Sequence, residues 1–301
     1  MDRLESMSIL VTAVEAGSLS AAARRLRIPL TTVSRNVSDL EAHLKTRLLN
    51  RSSRKLTLTD AGRSYVTACK QILEDVSEAE RGASGEYSAP KGNLNITAPI
   101  VFGRLHIVPI VAEFLRAYPD IDIRMVLADG VANLLEERVD LAIRIASLPD
   151  SSLLAVRVGS IRRVVCGSPA YFAERGIPTK PADVGTHDCV TRDGQSFDNS
   201  WPFGAGKSSV TVDIHARFIV NTAEAAIDAA IAGAGITRVL SYQIVDAVRD
   251  GRLVVVLEDF EPEPMPVSLV YSAQGLLPLK LRAFIDFAVP RLKAKFSRLT
   301  L

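Results

Sequence analysis

Apolar residues near the start of the chain recur every three or four positions, which is the spacing of an amphipathic helix. Leu4, Met7, Val11 and Val14 fall on one side of a helix predicted over Asp2 to Ala16. We expect this stripe to pack behind the segment that follows it.

A second helical pattern begins after Gly17. Ser18 can accept hydrogen bonds from free backbone N–H groups and so start a short helix that covers Ala21 to Leu26. Ile28-Pro29 ends this helix, because the residue before a proline is pushed out of helical geometry. A further helix is predicted to begin near Leu30, which leaves only a tight turn between the two.

The helix after the turn, with Thr31 or Thr32 at its head, has two different faces. Its apolar stripe consists of Val33, Val37, Leu40 and Leu44. At 100° per residue, the opposite face carries Thr31, Arg35 and Ser38, with Ser34 and Asp39 at its margins.

Two short helices with a tight connection, the second with a small polar and cationic outer face, are typical of a helix-turn-helix. Residues 51–58 end in an alternation of polar and apolar positions, Lys55-Leu-Thr-Leu58, as a two-stranded wing would. We expect Arg35 to reach base edges, and the wing arginines to hold the DNA backbone or the minor groove. The predicted DNA-binding residues are Ser18, Thr31, Thr32, Ser34, Arg35, Ser38, Arg51 and Arg54.

Charge favours the same interpretation. Ser20 to Arg63 contains ten basic and three acidic residues, an excess of seven in a chain whose net charge is +2. Positive charge gathered on one small unit is an electrostatic footprint for phosphate. The alternative is an ordinary helical hairpin with a solvated basic face.

A long helix is predicted next, with Thr59 as its N-cap and Asp60 in its first turn. It runs to about Glu80 and carries a near-heptad apolar stripe. The stripe consists of Ala61, Tyr65, Ala68, Ile72, Val76 and Ala79. We expect a helix of a second subunit to cover it, because a lone connecting helix would leave it exposed.

Residues 81–92 are rich in Gly, Ser, Ala and Pro without periodicity, which predicts a hinge. Strands and helices then alternate to the end of the chain, which favours largely parallel sheets covered by helices. The predicted strands are 94–98, 121–127, 140–144, 163–167, 215–220, 236–240 and 267–271. The predicted helices are 102–116, 131–138, 171–175 and 223–232. The span of about 209 residues suits two subdomains with a cleft between them.

A small molecule would bind beyond the carboxyl ends of the strands, where helix N-termini offer free N–H groups. Two loops qualify best, one after the strand that ends at Ala98 and one after the strand that ends at Val220. The predicted effector-binding residues are Pro99, Ile100, Val101, Phe102, Asp129, Arg144, Trp201, Asn221 and Thr222. For each single residue, ordinary loop structure or a surface ion pair is an equally good interpretation.

The chain resembles the LysR-type transcriptional regulators. The resemblance is carried by Gly17 to Ala23, Val33-Ser34-Arg35, Leu40-Glu41, Leu48, Arg51 and Leu58 to Gly62 in the first part of the chain. It continues in Tyr118-Pro119, Val139 to Ile145, Gly251 to Val254 and Pro266 to Tyr271, and so covers essentially the whole sequence. Departures include Arg27 in the helix connection, where the family often has Gly.

The resemblance implies an α/β protein with an N-terminal all-α winged helix-turn-helix, a long linker helix and a two-subdomain effector region like a periplasmic binding protein. The implied domains are 1–58 for DNA binding, 59–92 for the dimerising linker helix and hinge, and 93–301 for effector binding. Subdomain I is about 93–163 plus 268–301, and subdomain II about 164–267. The family often forms dimers through the linker helix and tetramers through the effector regions. In many members the first effector loop carries Ser or Thr, and here it reads Pro-Ile-Val-Phe.

The expected partners are a double-stranded DNA operator, further copies of the same chain and a small-molecule effector. The copies are expected to form a homodimer and, beyond it, a homotetramer. Because the first loop lacks a hydroxyl group, either backbone N–H groups hold an anionic effector there or the effector has a substantial apolar part. No membrane partner is expected, since no run approaches the roughly 20 uncharged apolar residues of a membrane span. The acidic N-terminus is unlike a secretory signal, which favours a cytoplasmic protein.

Other functional classes are less well supported. The sequence has no P-loop, no G-x-S-x-G, no H-E-x-x-H and no dinucleotide fingerprint, so we do not expect an enzyme. Four histidines without partners at ligand spacing predict no metal site, and no cofactor is expected. Cys69, Cys166 and Cys189 are too few for a disulfide framework, although one could sense oxidant. A constitutive DNA-binding regulator that ignores small molecules remains the closest alternative.

Overall fold

The computed structural model describes residues 2–50, 56–83, 89–129, 139–148, 153–192, 200–204, 206, 209–272 and 277–297. The chain divides into two compact units, Met1–Ser88 and Ala89–Leu301. We refer to them as the N-terminal unit and the C-terminal unit.

The N-terminal unit is helical with one small antiparallel sheet. Its elements are α1 (Arg3–Glu15), α2 (Leu19–Leu26), α3 (Leu30–Leu44), β1 (Leu49–Asn50), β2 (Thr57–Leu58) and α4 (Asp60–Ala83). Leu49 pairs with Leu58 and Asn50 with Thr57, so the predicted two-stranded base of a wing is present. Residues 51–55, which would complete the wing, lie outside the described residues.

The predicted helix starts are confirmed, because local hydrogen bonds define them. The Ser18 hydroxyl accepts from the Ala21 N–H at 3.1 Å, and the Thr59 hydroxyl accepts from the Gly62 N–H at 2.9 Å. These caps satisfy backbone donors that the first helical turn leaves unpaired. Helix α2 ends at Arg27, whose left-handed backbone (φ 57°) takes the place of a glycine in the turn.

The predicted inner face of α1 is correct only in part, because Val11 and Val14 pack against the core but the centre of the buried face lies elsewhere. Leu4 is 40% exposed, and the buried residues of this helix are Ser6, Ile9, Leu10 and Ala13. Apolar residues occur on several sides of α1, so periodicity alone does not select the buried side. The Ser6 hydroxyl donates to the Asn36 side chain of α3 at 3.1 Å, which explains how a polar residue faces the core.

Glu41 connects α3 to the wing. Its carboxylate is buried and accepts from the backbone N–H groups of Leu48 and Leu49 at 2.8 and 3.0 Å. A buried carboxylate is stable when it accepts hydrogen bonds of this kind. Glu41 therefore fixes where strand β1 begins relative to α3.

The C-terminal unit contains two five-stranded sheets and a hairpin. Its strands are β3 (Gly92–Ala98), β4 (Ile121–Leu127), β5 (Leu141–Ile145), β6 (Leu153–Ile161), β7 (Arg163–Gly167), β8 (Asp188–Arg192), β9 (Ser200–Phe203), β10 (Val210–Asp213), β11 (His215–Val220), β12 (Ile236–Leu240), β13 (Val254–Val256) and β14 (Met265–Ser272). The first sheet has the order β4-β3-β5-β14-β6 and the second β11-β8-β12-β7-β13, while β9 and β10 form the hairpin.

Helices cover these sheets. They are α5 (Ile100–Phe102), α6 (Val108–Ala117), α7 (Pro169–Arg175), α8 (Ala223–Ile231), α9 (Val245–Arg249) and α10 (Leu279–Phe296). A π-helical turn, Gly103–Ile107, joins α5 to α6. The sequence pattern missed α10, whose apolar and basic residues are not segregated, and the helix predicted over 131–138 lies outside the described residues.

The expectation of largely parallel sheets is wrong. Strand β3 is parallel to β4 and β5, whereas β14 is antiparallel to β5 and β6. In the second sheet, β8 is parallel to β11 and β12, whereas β7 is antiparallel to β12 and β13. The antiparallel strands are those beside the two crossings, because the chain leaves the first sheet after Ile161 and returns to it at Met265.

Strand β11 forms one edge of the second sheet. Its residues Phe218 and Ile219 are 47% and 49% exposed. The segment is a strand, as its apolar composition predicts, but these two side chains do not enter the core.

Candidate functional site

The outer face of α3 is the candidate DNA-reading surface. Val33, Val37 and Leu40 are buried on the inner face. On the outer face Thr31 is exposed, and the Arg35 side chain is 83% exposed. The guanidinium of Arg35 lies 3.8 Å from the Asp39 carboxylate, one turn along the helix. An exposed pair of this kind is weak, so Arg35 can exchange Asp39 for another acceptor.

The remaining predicted DNA-binding residues occupy different environments. Thr32, Ser34 and Ser38 are half-buried along the margins of the outer face. The Ser18 hydroxyl is engaged in capping α2, so its contribution is to hold that helix N-terminus in place. Arg51 and Arg54 lie outside the described residues.

The apolar stripe of α4 lies on a face that its own unit covers only in part, since Tyr65 packs against the core of that unit. Gly62, Val66 and Cys69 are buried in the N-terminal unit, whereas Ile72 is 40% exposed. By helical geometry the centres of the two faces are about 90° apart. Tyr65, Ala68 and Val76 are half-buried and Ala61 is exposed, while the Ala79 side chain lies outside the described residues.

The first predicted effector loop begins with Pro99 and Ile100, which are half-buried, and continues into the core with Val101 and Phe102. The free N–H of Ile100 donates to the Asp129 Oδ1 atom at 3.0 Å. The chain's own carboxylate therefore occupies the helix N-terminus at which an anion was expected.

Asp129 also joins the two sheets. It follows β4 of the first sheet, and its Oδ2 atom accepts from the guanidinium of Arg192 at the end of β8. A second ion pair between the same two halves connects Arg104 and Glu224 at 3.6 Å. Asp129 thus lies at the boundary between the subdomains.

The second predicted loop lies beside this boundary. Asn221 is exposed, and the Thr222 hydroxyl accepts from the Ala225 N–H at 3.2 Å, so Thr222 is the N-cap of α8. Ala223 is buried in the same apolar cluster as Phe102 of the first sheet. The two predicted loops are therefore brought together.

Arg144 lies at the carboxyl end of β5 beside the first loop, because β3 and β5 are parallel and Thr97 pairs with Ala142, two residues before Pro99 and Arg144 respectively. Arg144 is a half-buried residue of β5, opposite Ser268 of β14. Trp201 is buried in the hairpin that covers one face of the second sheet, and the Arg238 guanidinium lies 5.5 Å from its ring centre. A cation at this distance from an indole ring is attracted to it.

Sequence reasoning missed a group of arginines at the same boundary. Arg163 opens β7, Arg238 lies in β12 and Arg192 ends β8. Burial, followed by the positive charge of Arg163, lowers the pKa of Arg238 to about 10. Burial and the charge of Arg192 also lower the pKa of Arg163. One feature of the sequence could have indicated these arginines, because each of them interrupts or borders an apolar strand.

His106 was also missed. It lies in the π-helical turn, is 8% exposed, and has no hydrogen-bond partner for either ring nitrogen among the described residues. Its ring lies 4.8 Å from that of Phe102 and 5.5 Å from that of Tyr242, which belongs to the second subdomain. Burial, with a contribution from the charge of Lys295, lowers the pKa of His106 to about 4.

The cysteines are buried as free thiols. Burial raises the pKa of Cys166 and of Cys189 to about 12 and also raises the pKa of Cys69. Because the thiolate is the reactive form, burial disfavours the reactive state of each of these three cysteines.

Within the part of the chain that the structure describes, no group of three or more His, Cys, Asp or Glu side chains could hold a metal ion. In the same residues no single helix is long and apolar enough to cross a membrane, although α1 and α2, bent by 118°, pass the length and composition criteria as a pair.

Comparisons with known proteins cover both units. Residues 4–63 match the bacterial regulatory helix-turn-helix protein, lysR family, and residues 88–293 match the LysR substrate binding domain. The chain is 32% identical over 289 residues to the HTH-type transcriptional activator AaeR of Escherichia coli (strain K12), an alignment that covers 95% of this chain and 93% of the relative.

Solved structures agree with these matches. The structure of CrgA, a LysR-type transcriptional regulator from Neisseria meningitidis, is 30% identical with a TM-score of 0.61, and the alignment covers 96% of this chain and 98% of CrgA. Full-length AphB, a virulence activator of Vibrio cholerae, is 28% identical with a TM-score of 0.60, over 96% of this chain and 99% of AphB. The predicted architecture, a helix-turn-helix followed by a two-subdomain region, is confirmed. The chain belongs to the LysR-type family of transcriptional regulators.

Proposed function

We propose that this chain binds its operator through the outer face of α3 and is switched by a small anionic effector bound between the two sheets of its C-terminal unit. The observation that carries the DNA-binding part is the surface of α3, where Thr31 and Arg35 project from a helix whose other face is buried. The effector part is supported by the meeting of both predicted loops at the boundary between subdomains.

The α3 surface has the chemistry of major-groove recognition. An exposed guanidinium can donate two hydrogen bonds to a guanine edge, and small hydroxyl residues beside it allow close approach. The excess positive charge of the same unit provides contacts to phosphate that do not depend on sequence. Arg51 and Arg54 are proposed for that second role.

Assembly as a two-fold dimer through α4 would place two α3 helices on a roughly palindromic site. The exposed Ile72 and its stripe support this contact. A tetramer through the C-terminal units is proposed on a different basis. Leu105, Val108 and Leu115 are exposed along the helix that follows β3, and Phe218 and Ile219 are exposed on the edge strand β11.

The effector is proposed to bind at the carboxyl ends of β3 and β11, near Pro99, Ile100, Asn221 and Thr222. The side chains there are apolar on the first loop and polar on the second, which suits a molecule with an apolar body and a charged group. The Asp129 carboxylate accepts from the Ile100 N–H and pairs with Arg192, so an anion would compete with it for the helix N-terminus and for Arg192.

Two alternatives lead to different observations. A constitutive regulator would bind its operator equally in the presence of every metabolite. An enzyme would convert a ligand of the C-terminal unit into a product. We assign no catalytic role to any residue of that unit. We propose that the protein acts in the cytoplasm, where its operator DNA is located.

The DNA-reading proposal is tested by replacing Arg35 with alanine and with lysine. Arg35→Ala should weaken operator binding by roughly 1–3 kcal/mol and random-DNA binding much less, because a base contact is lost. Arg35→Lys is the matched control for charge, since it keeps a cation without the paired donors of a guanidinium. It should retain random-DNA affinity but lose preference for the operator.

Fluorescence anisotropy with operator and scrambled duplexes at one salt concentration measures both affinities. Equal weakening of the two in Arg35→Ala would mean that Arg35 contacts only phosphate, and the reading surface would then have to be sought elsewhere on α3.

A further inference from the structure

Arg163 and Arg238 are neighbours on one face of the second sheet. Strands β7 and β12 are antiparallel, and Arg163 lies directly opposite Leu240. Arg238 is two residues from Leu240, so its side chain leaves the same face of the sheet. Diagonal neighbours of this kind lie about 7–8 Å apart. The guanidinium groups of Arg163 and Arg238 therefore lie close together on one face of the second sheet.

This area faces the boundary between the subdomains. Leu240 packs against the apolar core of the first sheet. Arg163 directly follows the crossing from the first sheet, and its guanidinium contacts the Met265 sulfur at 3.3 Å, where the chain crosses back. Arg192, which pairs with Asp129, is close enough for its charge to act on Arg163.

The two guanidinium groups lack a compensating negative charge in the part of the chain that the structure describes. Arg163 contacts a thioether, and Arg238 donates to the Pro202 carbonyl at 3.0 Å and lies over the Trp201 ring. Neither makes an ion pair with a described carboxylate. Repulsion between two like charges in a half-buried position raises the free energy of the folded chain. An anion bound between the two guanidinium groups would lower that free energy.

A pair of guanidinium groups fits an oxyanion better than it fits other ligands. Each presents planar N–H donors that match the two oxygens of a carboxylate. The Trp201 ring and the Pro202 carbonyl hold Arg238 in one orientation, so little side-chain freedom is lost when the anion binds.

We propose that Arg163 and Arg238 form the anion-binding end of the effector site and that the effector carries a carboxylate. This inference rests on the proposed function, because it names the charged part of a molecule that binds between the two sheets. The apolar body of the effector would then extend toward Pro99 and Ile100 of the first loop.

The test uses thermal melting of the full chain at constant ionic strength, with benzoate as the probe and benzamide as its neutral counterpart. Benzoate should raise the melting temperature of the wild-type chain and benzamide should not. In Arg163→Gln and Arg238→Gln, the benzoate concentration that gives a half-maximal shift should rise at least about tenfold, since a charge-assisted hydrogen bond is lost. Arg282→Gln, an exposed arginine of α10, is the matched control and should respond as wild type does.

The ligand-free melting temperature gives a second and independent readout. Removal of one of two like charges should raise it in Arg163→Gln and in Arg238→Gln. An arginine that merely supports the structure would lower it on replacement, so a fall in both variants overturns the proposal.

Asp193 and Asp198 belong to the sequence just before the hairpin and could supply an internal counter-charge. If they do, the double variant Asp193→Asn, Asp198→Asn will melt lower than wild type, and the proposal is overturned. If the arginines await an external anion, that variant will bind benzoate at least as tightly as wild type.

Operator binding separates this inference from the proposed function. A neutral metabolite that alters operator binding equally in wild type and in Arg163→Gln would overturn the anion site and leave the effector mechanism standing. A screen in which no small molecule alters operator binding would instead remove the effector mechanism itself.

Discussion

At the scale of single residues, His106 is a titratable side chain held in an apolar environment. It is buried between Phe102 and Tyr242, and neither ring nitrogen has a partner among the described residues. The nearby charged group is Lys295 of α10, whose ammonium donates to the Leu105 carbonyl at 3.5 Å. Burial and this positive charge both favour the neutral imidazole.

The pKa of His106 predicts a loss of stability in acid. Its folded-state pKa of about 4 lies below the ordinary value of 6.5, so between these values the unfolded chain binds the proton more readily. The destabilisation is absent above pH 6.5, grows as the pH falls and is complete below about 4, where it reaches about 3 kcal/mol.

His106→Phe, which fills the same space without a titratable group, should flatten this part of the profile. Urea unfolding of the two proteins between pH 4 and 7 measures the difference. Parallel profiles would show that His106 is protonated as easily when folded as when unfolded.

Residue roles that depend on neighbours in sequence were predictable, and those that depend on distant contacts were not. Ser18 and Thr59 cap helices because the groups they bond lie three residues away. Glu41 binds the wing seven residues on, and nothing in its local pattern indicates that. Asp129 and Arg192 are 63 positions apart, so only the folded sheets bring them together.

At the scale of elements, several helices with one apolar side and several strands in apolar segments were predicted closely, whereas strands β6 and β8 were not predicted. Strands β4, β7 and β12 have the predicted bounds. Helix α1 was placed correctly but its buried face was predicted only in part, because apolar residues occur on several of its sides. Helix α10 was missed, since apolar residues occur on several of its sides among the basic residues near its two ends. The effector residues were selected because they lie at strand ends. Their contacts depend on where the chain crosses between the two sheets of the C-terminal unit, and only the resemblance indicated these two crossings.

The element-scale prediction concerns the stripe of α4. Ile72→Glu should dissociate the dimer, because a charge would be buried between two helices. Thr67→Glu is the matched control, since Thr67 is an exposed residue of the same helix about 130° from the stripe by helical geometry. Sedimentation velocity measures both variants. An Ile72→Glu protein that remains dimeric would locate the contact outside this stripe.

At the scale of the whole molecule, signal transfer requires that the effector distinguish two states of the chain. The ion pair between Asp129 and Arg192 joins the two sheets of the C-terminal unit and also occupies a helix N-terminus. An anion that replaces the Asp129 carboxylate would change both contacts at once. The effector would therefore bind more tightly to the state in which the Asp129 contacts are broken than to the state in which they are intact. This difference in affinity requires no change in the DNA-reading surface itself.

Asp129→Asn tests that idea. The amide oxygen can still accept from Ile100, but the negative charge that competes with an effector is gone. We expect the effector concentration for a half-maximal change in operator binding to fall, within the coupling of about 1–3 kcal/mol typical of such switches. Asp120→Asn, an exposed residue of the same unit, is the control. A higher effector requirement in Asp129→Asn would mean that Asp129 helps to bind the effector.

The open edge of strand β11 has a practical consequence for anyone who expresses the C-terminal unit by itself. A sheet edge offers unpaired backbone groups to any other strand, and here Phe218 and Ile219 add an apolar strip beside it. Edges of this kind promote aggregation when no natural neighbour covers them. A lysine in place of Ile219 would act as a gatekeeper, keeping the isolated unit dispersed at the concentrations that crystallisation or nuclear magnetic resonance requires.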